Sequence, residues 1–186
     1  MNAEGSAERR EARERYLTSL LTPRGVTLGD LEAGTQDALH EYARFILSHG
    51  HVPSAGWNPA INELTRAVDF EVIAVLGDVP GLENLDQCTT GQKGHALRDF
   101  DKSRGASSVL SRRRLLPTYV LGTLPELLLD LAKIRKRSGS AHGSKKGRKA
   151  TPRDHDEFLE IAIRRPDAVI PTLAKLRKGI SSRARP

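Results

Sequence analysis

The sequence has little cysteine, few aromatic residues and no long apolar run. Cys88 is the only cysteine, which excludes an intrachain disulfide framework and a cysteine-based zinc site. Aromatic residues make up 4% of the chain, so aliphatic residues must supply most of the core, which suits packed helices better than a β-sandwich. No apolar stretch reaches membrane-spanning length, and the N-terminus has no apolar signal core. We therefore expect a cytoplasmic protein with no membrane partner.

The charge of the chain is divided unevenly between its two halves. Residues 1–93 carry 8 Lys and Arg against 14 Asp and Glu, a net charge of −6. Residues 94–186 carry 22 against 9, a net charge of +13. The basic half is the candidate surface for a polyanion, and a merely solubilising surface is the alternative.

Apolar residues recur at a spacing near 3.6 and not in strict alternation, which predicts an all-α protein, a bundle of about five to seven helices. We expect a charged N-terminal helical segment over residues 1–24, a single helical domain over 25–180 and a disordered tail over 181–186. The pattern predicts helices near residues 7–21, 30–49, 58–77, 124–137, 151–164 and 167–178, and allows a short one over 95–102.

Three of these helices have sequence signals at their ends. Asn58 before Pro59 predicts a cap for the third helix. Thr123 followed by Glu126 is a capping box that predicts a helix start at Leu124, and Gly139 predicts its end. Thr151 followed by proline predicts the start of a further helix. The second and third helices are expected to pack as an antiparallel pair.

The stretch from 133 to 149 contains no acidic residue and carries an arginine, Arg137, five positions before a histidine, His142. A guanidinium offers a fixed cationic fork to a phosphate, and an imidazole can move a proton near neutral pH. RNA supplies its own 2′-hydroxyl nucleophile, so cleavage needs proton transfer and cations that stabilise the phosphorane. The pair therefore indicates RNA phosphodiester chemistry. Because one histidine cannot readily act as base and acid in one step, a symmetric partner that contributes a second copy is attractive.

The segment ArgSerGlySerAlaHisGly at 137–143, between an apolar helix and a capped one, resembles the Arg-x(4–6)-His motif of the HEPN superfamily. It is most similar to the abortive-infection C-terminal group, whose members often have Arg, a polar residue, small residues and then Ala-His-Gly. The resemblance covers roughly residues 108–180, and the helix from Pro59 to Leu76 loosely resembles the long early helix of such bundles. Ser138 stands where the family often carries Asn or Asp.

This resemblance implies an all-helical homodimer whose Arg and His residues line one cleft and cut RNA without a metal or cofactor. It assigns Arg137 and His142 as the catalytic pair, with Ser138 as the polar residue after the arginine. It also implies a toxic effector of an antiphage or toxin–antitoxin system, with RNA as substrate and an antitoxin as a further candidate partner. The cations expected to bind RNA are Lys133, Arg135, Lys136, Lys145, Lys146, Arg148 and Lys149.

Other interpretations of these residues stay open. Arg137 can serve simply as the last cation of a helix, with His142 an ordinary loop residue. The protein would then be a non-catalytic basic nucleic-acid-binding or scaffold protein. Two further pairs have similar spacing, Arg44 with His49 and Arg148 with His155, but the first lies within a helix end and the second straddles a helix cap. A metal cluster of His40, His49 and His51 lacks carboxylate or thiol partners, and Trp57 and Tyr119 are more typical of core anchors than of base-stacking residues.

Overall fold

A computed structural model describes residues 3–49, 56–82, 84–102, 119–139 and 149–183 of the chain. These residues form helices and turns and contain no strand, which confirms the all-α prediction. The α-helices are α1 (Ala3–Leu21), α2 (Ala33–His49), α3 (Asn58–Leu76), α4 (Thr90–Lys102), α5 (Leu124–Arg137), α6 (Pro152–Leu159) and α7 (Val169–Arg183). A π-helical turn at Tyr119–Thr123 leads into α5, and another at Glu160–Arg164 extends α6.

Helices α2 and α3 are the antiparallel pair at the centre of the core. Near the start of α2, the Thr35 hydroxyl donates to the carbonyl of Ala67 in the middle of α3. At the other end of α2, the rings of Phe45 and Trp57 meet edge to face, with 6.3 Å between their centroids. Most apolar side chains between the two helices are fully buried, among them Leu39, Tyr42, Ile61, Leu64, Val68 and Val72. The predicted pairing of these helices is therefore confirmed.

Helices α4 and α5 approach each other closely through glycine. A Cβ added to Gly94 would lie 2.9 Å from the carbonyl oxygen of Pro125 and 3.0 Å from Leu129 Cγ. A Cβ at Gly91 would lie 3.0 Å from the Cβ of Ala132. The sequence allowed only a helix over 95–102, because glycine disfavours helix formation. Both glycines nonetheless lie within α4, where their lack of a side chain permits the close contact with α5.

Two expected helix caps are absent. Thr123 is itself in a helical conformation (φ −86°, ψ −44°) because the π turn runs into α5, and its side chain makes no capping hydrogen bond. Glu126, the expected partner of that capping box, instead accepts a 2.6 Å bond from Arg98 on α4. Asn58 is the first residue of α3, and its side chain bonds to the backbone of Ala150. The start of α5 at Leu124 was nonetheless correct.

The first and last helices bear on what was expected of the two ends of the chain. Leu17 and Leu21 of α1 are fully buried in the same core as the later helices, so the N-terminal segment packs on the bundle. At the other end, α7 continues to Arg183, past the predicted end near Lys178. Residues 181–183, expected in a disordered tail, therefore belong to the last helix.

Candidate functional site

Arg137 is the last residue of α5, where the helix ends as the sequence predicted. Ser138 follows as the C-cap, with its N–H donating to the carbonyl of Ile134 at 2.8 Å. Gly139 then turns the chain with a positive φ of 70°, a conformation that favours glycine. The last turn of α5 carries three consecutive cations at 135–137, which suit the negative end of the helix dipole.

The Arg137 guanidinium is held by two carboxylates of α6. Its Nε–H donates to Asp154 Oδ1 at 2.9 Å, and an Nη2 hydrogen donates to Glu157 Oε2 at 2.7 Å. Hydrogen bonds to Glu157 and Asp154 raise the pKa of Arg137 above its ordinary value, although partial burial opposes the shift. The side chain is still 44% exposed. The arginine is therefore charged, fixed in orientation and reachable from solvent.

Asp154 connects the end of α5 to the beginning of α6. Its side chain is only 4% exposed. While Oδ1 accepts from Arg137, Oδ2 accepts from the backbone N–H of Thr151 at 3.0 Å and from its hydroxyl at 2.8 Å. Burial alone would raise the pKa of Asp154, but the bonds from Thr151 and Arg137 outweigh it and lower the pKa. One ionised carboxylate thus caps α6 and positions Arg137.

The backbone just before α6 is fixed against the start of α3. The Ala150 N–H donates to Asn58 Oδ1 at 2.6 Å, and the Ala150 carbonyl accepts from the Trp57 N–H at 3.3 Å. Next to them, a Cβ added to Gly56 would lie 3.3 Å from the Cβ of Lys149. The chain on both sides of residues 140–148 is therefore anchored to the bundle.

The predicted site residues differ in how the structure places them. Lys133 is exposed and pairs with Asp130 at 2.7 Å, and Lys136 and Lys149 are also exposed. Arg135 is partly buried, and burial lowers the pKa of its guanidinium despite the nearby charge of Asp69. Ser138 is buried, and its hydroxyl donates to the carbonyl of Arg135 at 3.1 Å. Four predicted site residues lie outside the described residues: His142, Lys145, Lys146 and Arg148.

Sequence reasoning considered His155 only as a partner of Arg148 and did not predict that it is buried next to this site. His155 on α6 is 5% exposed, and its Nε2 lies 3.0 Å from the hydroxyl of Tyr42, which in turn lies 3.2 Å from that of Tyr16. Trp57 stacks on the imidazole with 4.5 Å between ring centroids. Burial lowers the pKa of His155 more than the nearby Asp156 raises it. Helical spacing from His155 to the buried Phe158 and Leu159 was the available signal.

The other candidate residues take structural roles where the structure describes them. Arg44 pairs with Glu41 three residues earlier, beside a surface pocket of about 400 Å³. The Tyr119 hydroxyl donates to the carbonyl of Asp167 at 3.0 Å, in keeping with a core anchor. Among the residues that the structure describes, no group of three His, Cys, Asp or Glu side chains could hold a metal ion. His51 and the side chain of His49 lie outside them.

Comparisons with protein-family models, with curated proteins and with solved structures found no match for this chain. Within the described ranges, none of the helices combines the length and apolar character needed to cross a bilayer.

Proposed function

We propose that this protein is a metal-independent, HEPN-like endoribonuclease that cleaves RNA through attack of the 2′-hydroxyl, with Arg137 and His142 as its catalytic pair. The observation that best supports this proposal is that the Arg137 guanidinium is both exposed and fixed in orientation. This arginine ends α5 next to a strongly basic segment, is 44% exposed and is oriented by two carboxylates. An arginine at the end of a helix need not be fixed in this way, since most such side chains are solvated.

The held guanidinium still has donors for a phosphate. Its bonds to Asp154 and Glu157 use the Nε hydrogen and one Nη2 hydrogen. A guanidinium has five N–H groups in a planar fork, so the others can donate to a phosphate oxygen. In the proposed reaction Arg137 stabilises the charge that develops on the phosphorane, and the fixed fork lowers the cost of orienting it.

His142 would act as the general base and general acid. As a base it removes the proton from the 2′-hydroxyl, which attacks the adjacent phosphorus, and a protonated histidine assists the departing 5′-oxygen. In a homodimer the partner's copy of His142 would supply the second of these groups. The products would be a 2′,3′-cyclic phosphate and a free 5′-hydroxyl. Ser138 is buried at the end of α5, so it would position the residues next to it and not contact RNA.

The exposed cations near Arg137 would guide RNA to the site. Lys133, Lys136 and Lys149 face solvent, and so does Arg153, which sequence reasoning did not single out. Phosphate contacts of this kind supply affinity without base specificity. The wider setting, an antiphage or toxin–antitoxin system with RNA as target and an antitoxin as partner, rests on the family resemblance alone. A cytoplasmic location rests on the sequence, which has one cysteine and no apolar signal core.

A second candidate function is RNA binding without cleavage, as a nucleic-acid-binding or scaffold protein. One observation favours it: the two carboxylates that hold Arg137 leave the trio with a net charge of −1, which weakens its attraction for phosphate. Under this alternative the basic surface would retain RNA, while Arg137 would serve mainly to join α5 to α6.

The experiment that separates the two functions compares purified wild type with His142→Ala and Arg137→Ala. Each is incubated with labelled total RNA in EDTA, and the new ends are identified. His95→Ala is the matched control, because His95 is an exposed histidine on α4. We expect wild type and the control to produce fragments with 2′,3′-cyclic phosphate ends and His142→Ala to bind RNA without cutting it. Intact RNA with folded, dimeric wild type would instead favour the binding function.

A further inference from the structure

The two carboxylates that hold Arg137 differ in how firmly they are held themselves. Asp154 is 4% exposed and is bound on its other oxygen by Thr151, so it is part of the folded frame. Glu157 is one helical turn further along α6 and is 44% exposed. An exposed ion pair contributes little free energy, because water replaces the lost contact readily. Of the two contacts, the one to Glu157 is therefore the easier to exchange.

Glu157 also resembles a phosphate in what it offers Arg137. Its Oε2 accepts a hydrogen from Nη2 at 2.7 Å, a distance typical of a charge-assisted bond. A phosphate oxygen carries the same charge sign and makes the same type of bond with a guanidinium edge. One Nη2 hydrogen cannot donate fully to both, and two anions at one cation repel each other.

We propose that Glu157 competes with an RNA phosphate for Arg137, because it holds one Nη2 hydrogen and repels a second anion at the same guanidinium, while Asp154 keeps the guanidinium in position. This proposal rests on the proposed function, in which Arg137 binds the phosphate of RNA. Glu157 is then an internal competitor that lowers RNA affinity.

The test uses two substitutions that change the charge of the same helical segment equally. Glu157→Gln removes the proposed competitor. Glu160→Gln is the matched control, since Glu160 is 50% exposed and pairs with a different arginine, Arg164, at 3.6 Å. Both changes remove one negative charge and replace one arginine–carboxylate ion pair by a neutral contact at most. RNA affinity is measured by fluorescence anisotropy with a labelled single-stranded RNA in EDTA, in the His142→Ala background so that the RNA stays intact.

We expect Glu157→Gln to bind RNA about threefold more tightly than Glu160→Gln, in line with the loss of one exposed ion pair. Adding Arg137→Ala should weaken binding and abolish the difference between the two variants. Equal affinities for Glu157→Gln and Glu160→Gln, or weaker binding by the first, would overturn the proposal while leaving the role of Arg137 intact. If Arg137→Ala alone leaves affinity unchanged, Arg137 does not contact phosphate and the proposed function fails with it.

Discussion

Replacing Asp154 by alanine should damage the fold and the candidate site together. The change removes the acceptor of the Thr151 N–H, which closes the capping box of α6. It also removes the partner of the Arg137 Nε–H. Because Asp154 is almost fully buried, water replaces its carboxylate poorly, although the half-exposed Arg137 regains part of its hydration.

The expected loss follows from these two contacts. A helix-capping interaction typically contributes about 1 kcal/mol to stability. A hydrogen bond to a charged group contributes about 1.5–3 kcal/mol, and we take the lower end because Arg137 is 44% exposed. The free energy of unfolding should therefore fall by about 2–3 kcal/mol. For a chain of this size that corresponds to a decrease in Tm of about 4–12 °C.

Thermal unfolding followed by circular dichroism measures this loss. Glu160→Ala is the control, since an exposed residue of the same helical segment should change stability by no more than about 0.5 kcal/mol. The pH dependence gives a second check. Because the folded-state pKa of Asp154 is lowered, its contribution is present above about pH 4 and disappears as the pH falls through the lowered value. Asp154→Ala should lack this part of the acid destabilisation.

An unchanged Tm for Asp154→Ala relative to Glu160→Ala would refute the reasoning. It would mean that the contacts of Asp154 with Thr151 and Arg137 add nothing measurable to the stability of the fold.

Two further predictions concern packing and pH. Gly94→Ala should destabilise the protein by about 1–2 kcal/mol, because the added Cβ would meet a backbone carbonyl of α5. A Cβ at Gly179 would meet nothing within 4 Å, so Gly179→Ala should stabilise the protein by up to about 1 kcal/mol in the same unfolding assay. Equal shifts would contradict the close contact of α4 and α5. Burial lowers the pKa of His155 more than Asp156 raises it. The free energy of unfolding should therefore be at its maximum above about pH 6.5 and decline as the pH falls below that value. His155→Gln should flatten this decline. The fluorescence of Trp57, the one tryptophan, should report the same transition, and a wild-type profile in the variant would exclude His155 as its source.

Local signals predicted much of the fold because helices depend on spacing and end residues. The bounds of α5 were predicted correctly from Thr123 with Glu126 and from Gly139, although the Thr123 cap does not form. The two threonine caps show where such signals stop. Thr151 caps α6 because it is extended (φ −92°, ψ 164°), whereas Thr123 follows residues that are already helical. A threonine can cap a helix only where its own backbone is extended and not helical. Tertiary packing decides which of these conformations the chain takes there.

The candidate site was predicted less completely because its contacts join distant parts of the chain. The sequence placed Arg137 at the end of a helix, but nothing near it indicated that Asp154 and Glu157 would hold it. His155 was set aside because its pairing with Arg148 straddles a helix cap, yet its Nε2 lies 3.0 Å from the hydroxyl of Tyr42, a residue of α2. Pairing between helices decides which charged side chains are solvated and which are fixed.

The most direct test of the central claim is the chemistry of RNA ends after incubation with wild type and with His142→Ala in EDTA. We expect wild type alone to yield fragments ending in 2′,3′-cyclic phosphate and 5′-hydroxyl, while both proteins bind RNA with similar affinity. Cleavage that persists in His142→Ala, or that requires a divalent metal, would contradict the assignment of Arg137 and His142 as a metal-independent catalytic pair.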